Sequence, residues 1–345
     1  MQIQENISLK SFNTFGIDVK ARYFATFSNV EELAELTTAN PGLRTLILGG
    51  GSNILFVKDY DGLVLKNEVT GIEKINENED HVYVKAGAGE SWHKFVLDCV
   101  ENNRAGVENL SLIPGNTGAA PIQNIGAYGV ELQDVFYELK AFHLKEKANY
   151  TFGLKDCEFN YRDSIFKRKY KDEFAITSIT FRLNKKPVFN TSYGAVEQEL
   201  EKMARPDDPV GRGVKDLSIK AISQAIINIR SSKLPDPAEI GNAGSFFKNP
   251  QIPLHKFHEL SRMFTNMPSY PVDENFVKIP AAWLIEQCGW KGFRRGVAGC
   301  HPNQALVLVN YGNVTGREIY SLSEEIYQSV NAKFGVMLER EVNVI

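Results

Sequence analysis

The pattern of apolar and polar positions in the first part of the chain predicts a small α/β unit. Residues 44–70 alternate short apolar runs with turn residues, which indicates a strand, a glycine loop, a strand, a turn and a further strand. Upstream, apolar residues recur at helical spacing over 29–39, and Ser28 or Asn29 can cap this helix at its N-terminus. We therefore expect residues 1–70 to form one subdomain.

The next stretch, 71–185, is predicted to be mostly strand with one or two helices. Apolar spacing typical of a helix covers 90–100, directly after an alternating run that ends in glycines. Strand patterns resume over 136–144 and 174–183. Between the helix and these strands, residues 112–129 are too rich in Gly, Pro and Asn for a regular element.

Breakers and charges concentrate in residues 205–213, which are the best linker candidate. Beyond the linker, residues 216–230 have the apolar spacing of a helix, with Leu217, Ile219, Ile222, Ile226 and Ile229. We therefore expect an insertion with a linker over 186–214 and a third unit over 215–345.

The C-terminal part of the chain predicts a capped helix and a last strand. Thr315 and Glu318 have the spacing of a capping box. The helix that follows has an apolar face made of Ile319, Leu322, Ile326 and Val330. Residues 336–345 then read as a terminal strand, on which Glu339 and Glu341 would share one face and Arg340 the other.

Composition narrows the class of protein without naming its chemistry. The chain has 345 residues, 39 Lys and Arg against 42 Asp and Glu, and a net charge of -3. A nucleic-acid-binding protein would usually have a basic excess, so we expect no nucleic-acid partner. No leader pattern and no apolar run of about 18 residues is apparent, so we expect a cytoplasmic protein without a membrane partner.

The cysteines and histidines give no metal pattern. Cys99, Cys157, Cys288 and Cys300 are far apart and have no partners at zinc-site spacing. Cys300 and His301 are adjacent and could suggest a metal ligand or a thiolate, but no third partner is visible. We expect buried thiols and no metal.

Two glycine-rich loops favour a dinucleotide site. Glycine lets backbone N–H groups converge on phosphate oxygens. The loop 49–53 runs into a strand and not a helix, so it is neither a Rossmann turn nor a P-loop, and alone it could be a tight turn. A second loop, 113–129, could clamp the other phosphate. Neither loop contains His or Cys, so a flavin here would be held non-covalently.

Several longer motifs resemble one family. They include Tyr161-Arg-Asp-Ser-Ile-Phe166 and Gly241-Asn-Ala-Gly-Ser-Phe-Phe-Lys-Asn-Pro250, and the others lie at 13–17, 48–56, 113–115, 121–132, 233–237 and 338–342. In sequence and order they are similar to the UDP-N-acetylenolpyruvoylglucosamine reductases, also called UDP-N-acetylmuramate dehydrogenases, flavoenzymes of bacterial peptidoglycan synthesis. The segment near Thr191 resembles the insertion of the family's longer subtype.

The resemblance implies an α+β fold. It consists of an FAD-binding half of the vanillyl-alcohol-oxidase (PCMH) type in two subdomains, and a C-terminal α/β substrate-binding domain. It also implies NADPH as the electron donor. The expected contacts of the non-covalent FAD are Gly49, Gly50, Gly51, Ser52, Asn53, Pro114, Gly115, Gly118, Gln123, Asn124, Ile125, Gly126, Ala127, Tyr128 and Gly129.

The implied reaction reduces UDP-N-acetylglucosamine enolpyruvate to UDP-N-acetylmuramate. Hydride reaches the enolpyruvyl methylene carbon, negative charge accumulates on the adjacent carbon and its carboxylate, and a proton must follow. By resemblance the catalytic residues are Arg162, Ser245 as proton donor, and Glu341. From the residues alone, Arg162 could instead be a surface cation beside Asp163, Ser245 a turn residue, and Glu341 part of a solvated edge.

The resemblance also implies substrate contacts. Tyr193 would close over the substrate diphosphate, Lys233 and Asn249 would bind it, and Gln304 is a weaker candidate. We expect a monomer that acts on this small molecule. The alternatives are a flavin-dependent oxidase of the same fold and a non-catalytic nucleotide-sugar-binding protein.

Overall fold

The computed structural model describes residues 2–203 and 217–345 of the chain. The strands are β1 (Gln4–Ser8), β2 (Lys20–Phe27), β3 (Thr45–Leu48), β4 (Ile54–Leu55), β5 (Tyr60–Asn67), β6 (Ile72–Glu77), β7 (His81–Gly87), β8 (Gly126–Ala127), β9 (Val130–Glu131), β10 (Phe136–His143), β11 (Ala148–Gly153), β12 (Phe174–Asn184), β13 (Gly241–Ser245), β14 (Gln251–Pro253), β15 (Tyr270–Pro271), β16 (Phe276–Lys278), β17 (Arg294–Arg295), β18 (Ala298–Cys300), β19 (Val307–Asn310) and β20 (Asn343–Val344).

The α-helices are α1 (Val30–Ala39), α2 (Trp92–Glu101), α3 (Gly194–Met203), α4 (Ile219–Lys233), α5 (Leu254–Met263), α6 (Ala281–Gln287) and α7 (Gly316–Phe334). Short 3₁₀ helices cover Lys10–Phe12, Glu108–Leu110, Thr117–Gln123, Leu132–Asp134 and Ile165–Lys167. No helix among the described residues has both the length and the apolar character needed to span a membrane.

The chain separates into two compact units. The first comprises Met1–Ile7, Ala21–Gly50 and Asp61–Ser232, and the second Ser8–Lys20, Gly51–Tyr60 and Lys233–Ile345. The predicted domain boundaries near residues 70, 185 and 214 stay a prediction, and the linker 205–213 lies outside the described residues.

The first unit contains a four-stranded sheet in the order β1-β2-β5-β3, in which β3 and β5 run parallel. Helix α1 covers this sheet, and Leu33 and Leu36 of the helix share a buried cluster with Leu63 and Leu65 of β5. The predicted cap is confirmed, because the Asn29 side chain accepts a hydrogen bond from the backbone N–H of Glu32.

A five-stranded antiparallel sheet in the order β11-β10-β12-β7-β6 completes the first unit. The predicted strands β7, β10 and β12 form its centre. The edge strands β6 and β11 were absent from the predictions, because they are mostly exposed and lack an alternating apolar pattern. Helix α2 packs on the sheet through Trp92 and Phe95, which contact Phe181 of β12.

The second unit is built around the sheet β13-β19-β18-β17 and helix α7, and it also contains a small sheet in the order β14-β16-β15. The capping box of α7 is confirmed: Thr315 and Glu318 each accept a hydrogen bond from the other's backbone N–H. The predicted apolar face of α7 is buried. In the first unit, helix α4 is also confirmed, although it begins at Ile219 and leaves Leu217 outside.

The predicted terminal strand is too long. Only Asn343–Val344 form a strand, which pairs in parallel with β4. Residues 339–341 run beside 246–248 through a single isolated bridge between Phe247 and Arg340. The segment 246–248 is too short to form a longer strand pairing with 339–341, because the chain continues into β14 from Gln251.

The start of α7 allows a test of how tightly this unit is packed. A Cβ on Gly316 would overlap the backbone carbonyl of Phe56, whereas a Cβ on Gly194, the first residue of α3, would have no atom within 4 Å. Alanine gains up to about 1 kcal/mol of helix propensity over glycine. We expect the overlap to outweigh this gain, so that Gly316→Ala lowers the free energy of unfolding by about 2 kcal/mol or more.

Gly194→Ala is the matched control, and we expect it to be neutral or stabilising by up to about 1 kcal/mol. Denaturant unfolding of the three proteins measures the difference. Equal stability of the two variants would contradict the packing described for Gly316.

Candidate active site

The two glycine-rich loops approach each other within the first unit. A Cβ on Gly50 would lie 2.8 Å from the Cα of Gly115 and 2.8 Å from Oδ1 of Asn116. Only a residue without a side chain allows the backbones to come this close. This arrangement suits a diphosphate, because backbone amides from both loops can face the same group.

The rest of the first loop, from Gly51 onward, belongs to the second unit. Contacts with other segments of that unit hold it in place. Gly51 has φ +64°, and a Cβ on it would overlap the carbonyl of Phe12. The Asn53 side chain donates to the carbonyl of Glu341 (3.2 Å), and the Asn53 carbonyl accepts from the N–H of Asn343 (3.1 Å). Ser52 lies between them. Gly51 and Asn53 therefore shape the loop, and their contact with FAD stays a prediction.

The second loop contains short elements where an irregular segment was expected. Residues Thr117–Gln123 form a 3₁₀ helix, and β8 and β9 form a hairpin. The loop is anchored to the turn between β7 and α2. Trp92 N–H donates to the carbonyl of Gly115 (3.0 Å), Gly118 N–H donates to Ala88 (2.9 Å), and the Asn116 side chain donates to the Gly89 carbonyl.

Asn124 uses its side chain inside the loop. The residue is fully buried and has φ +42°. Its amide group donates to the Glu131 carboxylate (2.8 Å) and the Asn160 carbonyl (3.2 Å), and its oxygen accepts from the N–H of Gln133 (3.1 Å). We conclude that the Asn124 side chain fixes the loop, which leaves backbone groups of the loop for a cofactor.

The remaining predicted FAD contacts lie along the same loop. Ile125 bonds through its backbone to Ala120 and Leu132, and Gly126 and Ala127 form β8. Pro114 precedes the 3₁₀ helix and Gln123 is its last residue. Tyr128 and Gly129 form the hairpin turn, both with positive φ.

Arg162 contacts this loop directly. Its guanidinium donates to the carbonyls of Asn124 (3.4 Å) and Gly126. Arg162 also has φ +52°, a strained conformation for a long side chain that is common at functional sites. Asp163, the neighbour of Arg162 in sequence, pairs with Arg168 (2.9 Å). The catalytic role of Arg162 and the alternative of a surface cation beside Asp163 both stay predictions.

Ser245 and Glu341 lie on two neighbouring backbone segments of the second unit. Ser245 is the exposed last residue of β13 and follows Gly244, which has φ +68°. The N–H of Glu341 donates to the carbonyl of Phe246 (2.9 Å), so Glu341 lies opposite the residue after Ser245. The side chains of Phe246 and Phe247, directly after Ser245, are buried and anchor the segment 245–248 in the core. Glu339 instead pairs with Lys248 at the surface.

Tyr193 lies against the second glycine-rich loop, in the first unit. Its ring meets the Tyr128 ring edge to face at 5.4 Å between centroids, and 47% of Tyr193 is exposed. The side chains of Tyr128 and Arg230 are hydrogen-bonded. Burial raises the pKa of Tyr128, an effect that the Arg230 charge opposes. Burial also lowers the pKa of Arg230.

Arg230 and the buried Asn109 are candidates that the sequence analysis missed. Arg230 donates to the carbonyl of Leu112 (3.2 Å). Arg230 lies four residues after Ile226, on the buried face of α4. A cation among apolar residues on one helix face is a sequence pattern that could have marked Arg230 as a candidate. Asn109 has no such signal, because nothing in its neighbours predicts its partners.

The other predicted substrate residues lie in the second unit. Lys233 is the exposed last residue of α4. Asn249 accepts, through its side-chain oxygen, the N–H of Ala281 at the start of α6 (2.9 Å). Gln304 accepts the N–H of Leu306 in a turn (3.3 Å). The side-chain oxygens of Asn249 and Gln304 therefore have a structural use.

The cysteines have no catalytic character. Burial raises the pKa of Cys300 to about 12, so its thiol stays protonated at neutral pH. All four cysteines are free thiols, and no group of His, Cys, Asp and Glu within the described ranges could hold a metal ion.

Comparison with known proteins identifies the family. Residues 236–345 match the model of the UDP-N-acetylenolpyruvoylglucosamine reductase C-terminal domain, and residues 21–143 match an FAD binding domain. The enzyme named UDP-N-acetylenolpyruvoylglucosamine reductase in Amoebophilus asiaticus is 50% identical over 348 residues, with 100% of both chains covered. That of Flavobacterium johnsoniae is 49% identical, again over 100% of both chains. The chain belongs to the UDP-N-acetylenolpyruvoylglucosamine reductase family.

The reductase fold is confirmed by a solved structure. The UDP-N-acetylenolpyruvylglucosamine reductase of Thermus caldophilus superposes with a TM-score of 0.67 at 20% identity, over 100% of this chain and 99% of that one. The predicted α+β fold with an FAD-binding half is therefore correct. The FAD binding domain match spans both glycine-rich loops, and FAD is the cofactor of this reductase.

The close approach of the two loops makes FAD binding testable. We expect Gly50→Ala to push Gly115 and Asn116 away and to lower the FAD content of the purified reductase at least about tenfold, since interior overlap of this size costs about 1 to 3 kcal/mol. Flavin absorbance per protein chain measures the content.

Gly153→Ala, outside the expected FAD contacts, is the matched control. Its Cβ would meet Oδ2 of Asp156 at 3.4 Å, an ordinary contact distance, so we expect FAD to be retained. Retention of FAD by Gly50→Ala would contradict the role assigned to the loop contact.

Proposed function

We propose that this protein reduces UDP-N-acetylglucosamine enolpyruvate to UDP-N-acetylmuramate, with FAD as cofactor and NADPH as electron donor, in peptidoglycan precursor synthesis in the cytoplasm. The observation that carries the proposal is the full-length match to reductases of this name. The glycine-rich loops and the presence of Arg162, Ser245 and Glu341 in one chain support it. We propose that the enzyme acts as a monomer, without nucleic-acid or membrane partners.

Arg162 is the residue that grips the substrate carboxylate. A guanidinium stays charged at every physiological pH and can bind a carboxylate with two parallel hydrogen bonds. Its acceptors include two loop carbonyls, those of Asn124 and Gly126, which help to hold the side chain in place. The positive φ of Arg162 is a cost that a purely structural surface residue would not need.

Ser245 delivers the proton and Glu341 assists at the same end of the substrate. When bound, FAD supplies the hydride that reaches the enolpyruvyl methylene carbon. The carbon next to it then needs a proton, and Ser245 offers a hydroxyl at an exposed, glycine-flanked strand end. The backbone bond from Glu341 to Phe246, the residue after Ser245, supports this pairing of roles.

Four residues bind the rest of the substrate. Lys233 is an exposed point charge suited to a diphosphate. Asn249 and Gln304 have oxygens engaged in backbone bonds, so each would offer its amide N–H₂ group as a donor. Tyr193 covers the diphosphate.

The first experiment compares binding with turnover. Purified protein should show flavin absorbance, and NADPH oxidation should rise strongly when the enolpyruvyl substrate is added. A flavin-loaded protein that oxidises NADPH only with oxygen would be an oxidase of the same fold. A protein that binds the substrate without oxidising NADPH would be a binding protein.

Ser245→Ala tests the proton donor. We expect flavin reduction by NADPH to stay near the unmodified rate and product formation to fall about 10²-fold to 10⁴-fold, the usual worth of a general acid. Stopped-flow absorbance separates the two half-reactions. Ser321→Ala, an exposed serine of α7, is the control. If both half-reactions slow equally in Ser245→Ala, the residue is structural.

Arg162→Lys tests the carboxylate grip. Lysine keeps the charge but loses the planar fork, so we expect kcat/KM for the enolpyruvyl substrate to fall at least about 100-fold while FAD content is unchanged. Arg168→Lys, in the same segment and paired with Asp163, is the control and should retain activity. Loss of FAD with Arg162→Lys would instead assign Arg162 to loop support.

A further inference from the structure

Asn109 joins two segments of the first unit that are far apart in sequence. Only 2% of the residue is exposed. Its side-chain amide donates to the carbonyl of Tyr128 (3.0 Å) and to the carbonyl of Asn190 (2.9 Å). Tyr128 belongs to the second glycine-rich loop, and Asn190 lies three residues before Tyr193. One buried amide therefore uses both of its N–H groups to hold the loop and the insertion together.

A second hydrogen bond fastens the same two segments. The Asn190 side chain donates to the carbonyl of Gly129 (2.8 Å), and Ser192 donates to the side-chain oxygen of Asn190 (2.9 Å). Gly129 has φ +80°, and a Cβ on it would lie 2.8 Å from the Asn190 amide nitrogen. The insertion thus begins in a fixed position on the hairpin turn.

The aromatic contact extends this attachment to Tyr193. The Tyr193 ring packs edge to face on Tyr128, whose side chain is hydrogen-bonded to Arg230. Arg230 in turn bonds the carbonyl of Leu112, three residues after Asn109. Tyr193 is therefore connected, through Tyr128 and Arg230, to the segment 109–112 that contains Asn109.

We infer that Asn109 is a positioning residue that sets the place of the Tyr193 segment on the second glycine-rich loop. The inference rests on the proposed function, in which Tyr193 contacts the substrate. Asn109 itself touches the backbone of both segments and lies buried beneath them. Its effect on the reaction passes through Tyr193.

The physical reason is preorganisation. A segment that is already ordered loses less conformational freedom when a ligand closes it, so the ligand binds more tightly. Without the Asn109 amide, two carbonyls would lack their donor, and the segment would gain alternative positions. Substrate affinity should weaken, whereas the reaction of FAD with NADPH should not change.

Asn109→Ala and Asn190→Ala test this inference, with Asn102→Ala as the matched control. Asn102 also donates to a backbone carbonyl, that of Asp98, but at the exposed end of α2. We expect both test variants, each of which loses two side-chain hydrogen bonds, to raise KM for the enolpyruvyl substrate at least about tenfold and to leave FAD content and flavin reduction by NADPH within about twofold. The control should match the unmodified protein.

A readout without substrate follows the attachment itself. Hydrogen exchange of backbone amides over 190–196 should be faster in both test variants than in the control. The effects of Asn190→Ala and Tyr193→Ala on KM should also be less than additive, because the first substitution already releases Tyr193. If Asn109→Ala does not yield folded protein, Asn190→Ala carries the test.

Three outcomes would overturn the inference. They are unchanged exchange over 190–196, unchanged KM in Asn190→Ala, and a parallel loss of FAD, which would indicate a general structural role. Failure of the proposed function looks different: the unmodified protein would show no substrate-dependent NADPH oxidation. Such a result would remove the role in substrate binding, while the exchange data would still decide whether Asn109 holds the segment.

Discussion

The close approach of two backbones at Gly50 and Gly115 is the constraint on which the cofactor-binding loops of the first unit depend. At this point the glycine-rich loops come within the space that a single methyl group would fill. Such an approach is available only to glycine, and it lets main-chain amides, which need no side-chain ordering, face a phosphate. Backbone hydrogen bonds to the turn between β7 and α2 hold the loop 113–129 in this position.

Polar side chains in and beside the second loop stabilise its conformation through hydrogen bonds. Asn124 uses all of its side-chain hydrogen-bonding groups within the loop, and Arg162 braces two loop carbonyls while keeping a permanent charge. Buried polar groups of this kind must be satisfied, so they specify one loop conformation. The chain is mildly acidic, with a net charge of -3, and the proposed function therefore relies on a few placed cations and backbone amides to hold phosphate-rich ligands.

In the second unit, the geometry beside Ser245 depends on a short pairing of two segments. Phe246 and Phe247 are buried, and the backbone of Glu341 is hydrogen-bonded to Phe246, the residue after the serine. This pairing includes a single bridge and not a full strand. Sequence alternation alone predicted the extended backbone of 339–341 but overestimated the length of its ladder.

The sequence by itself determined the family, the glycine-rich loops and the capped helices α1 and α7, because each of these depends on residues that are close together in the chain. It also determined the types of residue available for the reaction. Tertiary structure alone decided which strands lie at sheet edges, as for β6 and β11, and which polar side chains are used internally, as for Asn124 and Asn249. It also placed Asn109 between Tyr128 and Asn190. Those contacts join residues far apart in the chain, and no local pattern records a hydrogen bond whose partner is 81 positions away.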